Sequence, residues 1–168
     1  GMYMTSSDLE LVFSGGNQVV GMRFNGVGIP QGALVTSAYI QFKVDEPDSE
    51  TTNLVLEAEA VDNAQEFVNQ NGDISGRSRT NAQANWSPGP WLTVGEAGLD
   101  QRTPELAPLI QEVVSRSGWV SGNSIAIIIT GSGVRTAESY NGDPSGAPLL
   151  HIEYTQGAVP TSTETPTA

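Results

Sequence analysis

Apolar and polar residues alternate in several short stretches of the chain, the period of a half-buried strand. Leu9, Leu11 and Phe13 share one face, with Asp8, Glu10 and Ser14 on the other. Between Leu34 and Val44, Ala38, Ile40, Phe42 and Val44 point one way, and Tyr39, Gln41 and Lys43 the other. From Asn53 to Ala60, the pattern turns Leu54, Leu56, Ala58 and Ala60 inward and leaves Glu57 and Glu59 in solvent. Leu150, Ile152 and Tyr154 alternate in the same way with His151 and Glu153. A slip of one residue would bury Glu57, Glu59 and Glu153, so the register is strongly fixed.

Ser124–Thr130 (Ser-Ile-Ala-Ile-Ile-Ile-Thr) is instead apolar without a break. It is short and β-branched, which predicts a central strand covered on both faces. The cover is expected from one helix over about 104–117. Thr103 is placed to cap it, with Pro104 at the first position and Glu105 in the positive first turn. Leu106, Leu109, Ile110, Val113 and Val114 make its apolar stripe, Arg116 lies in its last turn and Gly118 just past its end. Pro108 falls inside this run, which points to a kink or a shorter helix. Val61–Leu99 reads as a long polar loop with a helical turn at 63–68. Short strands separated by turn signals require two packed sheets. The expected fold is mainly β, a jelly-roll-like β-sandwich with one covering α-helix.

Composition agrees, with 19 glycines and 10 prolines among 168 residues. Residues 6–155 read as one domain, preceded by a lead at 1–5 whose Gly1-Met2 resembles a cloning remnant. A Thr/Pro linker at 156–168 is expected to join a neighbouring domain, as in secreted multidomain chains. Nineteen acidic side chains face seven basic ones, a net charge of -12. That balance excludes nucleic acid as a partner and disfavours an anionic membrane surface. No apolar run approaches the roughly 20 residues needed to cross a bilayer. Cysteine is absent and His151 is the single histidine, so disulfides, thiolate chemistry and two-histidine metal sites within the chain are excluded. Oxygen ligands for Ca²⁺ are abundant.

Three stretches together carry a family resemblance: Phe24–Phe42 with its Ile29-Pro30-Gln31-Gly32-Ala33 turn, Thr103–Trp119, and Ala137–Tyr154 with Glu138-Ser139 and Pro148-Leu149-Leu150-His151-Ile152-Glu153-Tyr154. This order resembles extracellular bacterial β-sandwich modules of the DNRLRE type, over most of Gln18 to Tyr154. The resemblance implies a fold like that of carbohydrate-binding jelly rolls, and a place beside secreted enzymes or surface proteins. Some such modules bind polysaccharide. The acidic stretch Asp45–Glu50 and the loop Asn69–Asn85 depart from the family, so no particular ligand carries over.

The residues themselves supply three candidate chemistries. For catalysis, His151 lies mid-strand, no nucleophile elbow accompanies it, and no spacing singles out a pair of carboxylates. For calcium, Asp8 and Glu10 share a strand face, and Glu138-Ser139-Tyr140-Asn141-Gly142-Asp143 forms an oxygen-rich turn. Pairing of the first and last strands would bring Asp8, Glu10, Glu138 and Asp143 together around a structural ion. Alternatively they are solvated, or Glu138 pairs with Arg135 or Arg23. For sugar binding, exposed rings stack on a sugar's apolar face while polar groups bond its hydroxyls. Trp86 in the long loop, Tyr140 in the acidic turn and Tyr39 on a polar strand face are the candidate rings, whereas Trp91 and Trp119 belong to the core. Arg77 and Arg79 could clamp an acidic sugar, or else bridge local carboxylates. The expectation is a non-catalytic extracellular module that binds polysaccharide or another surface component. The alternatives are a structural or adhesive spacer and, more weakly, a polysaccharide hydrolase.

Overall fold

A computed structural model describes residues 6–12 and 18–156. The lead at 1–5, Phe13 and Ser14 of the first strand, and the linker beyond Gln156 lie outside the described residues. The strands are β1 (Asp8–Glu10), β2 (Val20–Phe24), β3 (Leu34–Gln41), β4 (Val44–Glu46), β5 (Asn53–Glu59), β6 (Arg79–Trp86), β7 (Ile125–Ser132), β8 (Thr136–Glu138) and β9 (Leu149–Thr155), with one helix, α1 (Ala107–Val114). One antiparallel sheet has the order β2-β7-β5-β6. Two smaller antiparallel sheets, β1-β8-β4 and β3-β9, run on into each other. β4 follows β3 after two residues, β9 follows β8 after the excursion 139–148, and the Glu138 N–H donates to Lys43 C=O at the junction. The mainly β sandwich expected from the alternation is present.

The alternating faces meet as predicted at Ala38, Ile40, Phe42 and Val44 and at Leu54, Leu56 and Ala58, all buried. Trp91 and Trp119 are core residues as expected, and each ring N–H finds a carbonyl, on Asp100 and Ile29 respectively. Trp91 forms a single isolated bridge with Asp48.

Several expectations are corrected. The helix spans 107–114, not 104–117. Thr103 does not cap it: its hydroxyl accepts from the Ile40 N–H of β3, and its own N–H donates to the Ile40 carbonyl. Pro108 therefore sits in the first turn, where its missing N–H costs no helical bond. Glu105 serves both elements, accepting from Ala107 N–H at the helix start and from Ala38 N–H and the Ser37 hydroxyl of β3. Burial works to raise the Glu105 carboxyl, but those hydrogen bonds and one from the Leu106 backbone outweigh it and hold the group below its ordinary value.

The helix does not cover the second face of β7 either; it packs on β3, β5 and β6. Ile125, Ile127 and Ile129 join the central core, and Ala126 and Ile128 are buried on the opposite face. That face is roofed by the 61–78 segment. Gly21 of β2 pairs with Ile128, and Phe67 and Ile74 lie directly against Gly21. Irregular backbone, not a helical turn, occupies 63–68.

The polar loop also hides a strand. β6 presents Thr80, Ala84 and Trp86 inward, and two of its three inward residues there are too small or polar to register as an apolar run. Glu59 keeps the outer face of β5 that alternation assigns to it, opposite in side to Ala58, but is buried rather than solvated, because the 61–78 segment covers that face and Arg77 meets it there. Ala60 is only half-buried.

Two outer strand edges are covered. The edge of β3 away from β9 is bonded along its length by the 101–106 segment, and Gln111 of α1 takes Val35 N–H and Ala33 C=O. The edge of β6 gives its Asn81 and Ala82 N–H groups to the Glu112 carboxylate of α1. Such cover removes templates for unwanted strand pairing.

Candidate functional site

The excursion between β8 and β9 carries the oxygen-rich turn, and β1 and β4 flank β8 on either side. The first strand therefore pairs with β8, not with the last strand, which pairs with β3. The correction keeps one expected juxtaposition: Asp8 stands opposite Glu138. Glu10 stands opposite Thr136, farther along the ladder. Oxygen atoms of Asp8, Asp45 and Glu46 come within 4.8 Å of one another.

Crowding of carboxylates at this end leaves an electrostatic mark. Burial pushes the Glu138 carboxyl above its ordinary range, and the charge of Asp45, a hydrogen bond with Asp45 and the charge of Asp143 push the same way; Lys43 opposes them. Asp143 has turned away into bonds of its own. Its carboxylate accepts from the Ser145 hydroxyl at 2.6 Å and from Lys43 Nζ at 3.2 Å, and these bonds with Ser145 and Lys43 hold it below its usual value. Of the four expected ligands, Asp8 and Glu138 are neighbours, Glu10 is displaced along the strand, and Asp143 is occupied by Lys43. Asp45 and Glu46 were missed. Their signal was the acidic run Asp45–Glu50, which reads as a solvated loop until β4 is seen to sit beside β8. The set offers hard oxygen donors, the chemistry Ca²⁺ takes. Glu138 has neither Arg135 nor Arg23 as a partner: Arg135 is buried among the carbonyls of Pro88, Gly89 and Val134 and the Thr52 hydroxyl, and Arg23 bonds Ala64 C=O.

The expected sugar-binding residues scatter. Trp86 is only 7% exposed and stacks on Phe42 at 5.8 Å, beside Trp91. The reason is that it ends β6 instead of lying in a loop. Tyr39 is on the outer face of β3, as predicted, but its ring is stacked at 4.8 Å with His151 and lies 4.0 Å from the Arg102 guanidinium. Two groups so near one centroid must occupy opposite faces, so neither face of Tyr39 is free for a sugar. Arg77 and Arg79 clamp carboxylates of this chain: Arg77 bonds Glu59 and Asp73 and lies over the Phe67 ring, and Arg79 bonds Glu57. Of the three candidate rings, Tyr140 is the one that is largely exposed. It is 70% exposed on the acidic turn, two residues from Glu138. Tyr154, predicted inward, is 39% exposed.

His151 lies on the outer sheet face, 3.4 Å from Glu153 through Nε2, and stacked on Tyr39. No helix among the described residues is long and apolar enough to cross a membrane. No family model matches the chain, and no curated protein matches it.

Proposed function

We propose that the chain is a non-catalytic binding module of a secreted multidomain protein, similar in kind to the DNRLRE-type sandwiches its sequence resembles. It would take a polysaccharide at the end of the sandwich formed by β1, β4, β8 and the 139–148 excursion. The observation that carries the reading is the exposed Tyr140 ring standing on the turn where Glu138, Asp8, Asp45 and Glu46 converge. A free aromatic face beside hydroxyl-bonding carboxylates is the pairing a sugar requires. A Ca²⁺ ion held by Asp8, Asp45 and Glu46 would neutralise the crowded carboxylates and tie the N-terminal strand to β4. A glycan array with the Tyr140→Ala variant as control tests the site. Glycan binding lost in the variant supports it, and binding that survives the substitution removes it. Calcium is tested separately, since an ion bound only by the folded state must raise the melting temperature. A calcium-induced rise that disappears in Asp45→Asn supports the ion, and a melt indifferent to calcium overturns it.

A spacer role is the second reading. It is favoured by the burial of Trp86, Trp91 and Trp119 and by the commitment of Arg77 and Arg79 to internal carboxylates. Under that reading the array is silent while the calcium response remains.

A further inference from the structure

β9 differs from every covered edge described above. On β3, the N–H and C=O groups of Ala38 and Ile40 turn away from β9 to bond Glu105, Leu106 and Thr103. In an antiparallel ladder, residues directly opposite share one direction of bonding, so Ser37, Tyr39 and Gln41 are the residues that bond β9. Their partners Glu153, His151 and Leu149 bond back to β3. Leu150 and Ile152, which stand opposite Ile40 and Ala38, therefore aim their N–H and C=O groups outward. No backbone or side-chain partner among the described residues meets those groups. On the inner face, Leu150, Ile152 and Tyr154 line a groove of about 480 Å³ together with residues 23–29. β9 is seven residues long and contains no Pro, Gly or Lys, the usual devices that blunt an edge. Leu149 at its start is 64% exposed.

We propose that this edge pairs with the same edge of a second copy of the chain, β9 against β9 about a two-fold axis through Ile152. Self-complementarity favours a second copy over another polypeptide. Antiparallel pairing centred on Ile152 uses the outward bonding groups of Leu150, Ile152 and Tyr154. It places His151 opposite Glu153 of the other copy twice, on the outer face, and Leu150 opposite Tyr154 twice, on the inner face. Opposite partners of this kind stabilise a ladder, and an isologous contact supplies each pair in duplicate. The joined layers would run β3-β9-β9-β3. Long-range repulsion between two copies of net charge -12 opposes the contact and is screened by salt, so association should strengthen as salt is raised.

Sedimentation velocity of the 168-residue chain, over a range of concentration and salt, tests the proposal. A monomer–dimer equilibrium favoured by salt is expected. His151→Glu sets like charges opposite each other at two positions and should weaken association by roughly tenfold. The exchange His151→Glu with Glu153→His restores opposite partners and should return association to near the original. Because both residues lie on the outer face, circular dichroism of each variant checks that the monomer is folded. Ile152→Pro removes an outward N–H without touching the ladder to β3, and should abolish the dimer. A chain that stays monomeric throughout, or a dimer indifferent to His151→Glu and Ile152→Pro, overturns the proposal.

Discussion

Phe67 lies over Gly21 so closely that a methyl group at Gly21 would meet the ring at 2.7 Å. This contact helps to seat the 61–78 segment on the sheet, above the Gly21–Ile128 pair. Gly21 is needed here for space alone, since it is absent from the positive-φ glycines. Gly21→Ala should force Phe67 and Ile74 outward and cost about 1–3 kcal/mol, the usual range for overpacking. Urea denaturation measures that loss. Limited proteolysis within 61–78, accelerated in the variant, locates it, and unchanged cleavage would show that the segment is seated by other contacts.

Arg77 is the second fastening of the same segment. It bonds Glu59 and Asp73 and the carbonyls of Gln65 and Glu66, with both it and Glu59 almost fully covered. Removing one partner strands the other's charge, so Arg77→Ala should destabilise by roughly 3–5 kcal/mol. The double variant Arg77→Met with Glu59→Gln should recover part of that loss. A double variant as unstable as the single one would show that the carbonyl bonds, not the ion pair, dominate.

Glu138 and Glu105 give pH dependences of opposite sign. The Glu138 carboxyl is raised in the fold, so the folded state binds its proton more tightly than the unfolded one. Its contribution to stability is full below the ordinary carboxylate range and is lost as pH rises through the raised value. Glu105 is lowered, so its contribution is present above the ordinary range and is lost as pH falls through the lowered value. Between neutral pH and the ordinary carboxylate range, wild type should gain stability on acidification, and Glu138→Gln should gain less. Melting temperatures across that interval, without calcium, decide it. Identical slopes in the two proteins would place the strain elsewhere.

Much of the fold was legible where large apolar residues alternate. The inward sets of β3, β4 and β5 needed only a period of two, and the uninterrupted isoleucines of β7 announced burial on both faces. β6 was hidden because alanine and threonine fill its inward positions ahead of Trp86, so its identity comes from its neighbour β5 more than from its own residues. The helix was overextended because Thr103, Pro104 and Glu105 have good capping chemistry, and a neighbouring strand uses it instead. Glu59 lies on the face that alternation assigns to it, and its burial comes from the 61–78 segment, a cover over that face which local pattern does not carry. For the candidate site, Asp8, Glu138 and Tyr140 were readable as local oxygen-rich or aromatic features. Asp45 and Glu46 required knowledge that β4 lies beside β8, a pairing between distant segments that local pattern does not carry. Trp86 and Tyr39 failed as sugar platforms for the same reason: their ring faces are filled by residues remote in sequence, Phe42 for one and His151 with Arg102 for the other.

The pairing of β3 with β9 also constrains how the molecule is made. Thr36 bonds the backbone of Glu153, 117 residues later. During synthesis β3 has no ladder partner until the end of β9 has left the ribosome, so half of one layer waits on the last strand. Contacts this distant slow folding, because the chain must close a long loop before any ladder bond rewards it. The 101–106 segment reaches β3 earlier and bonds its other edge first. A nascent chain would thus hold β3 protected on one side only, and its folding is completed from the C-terminal end.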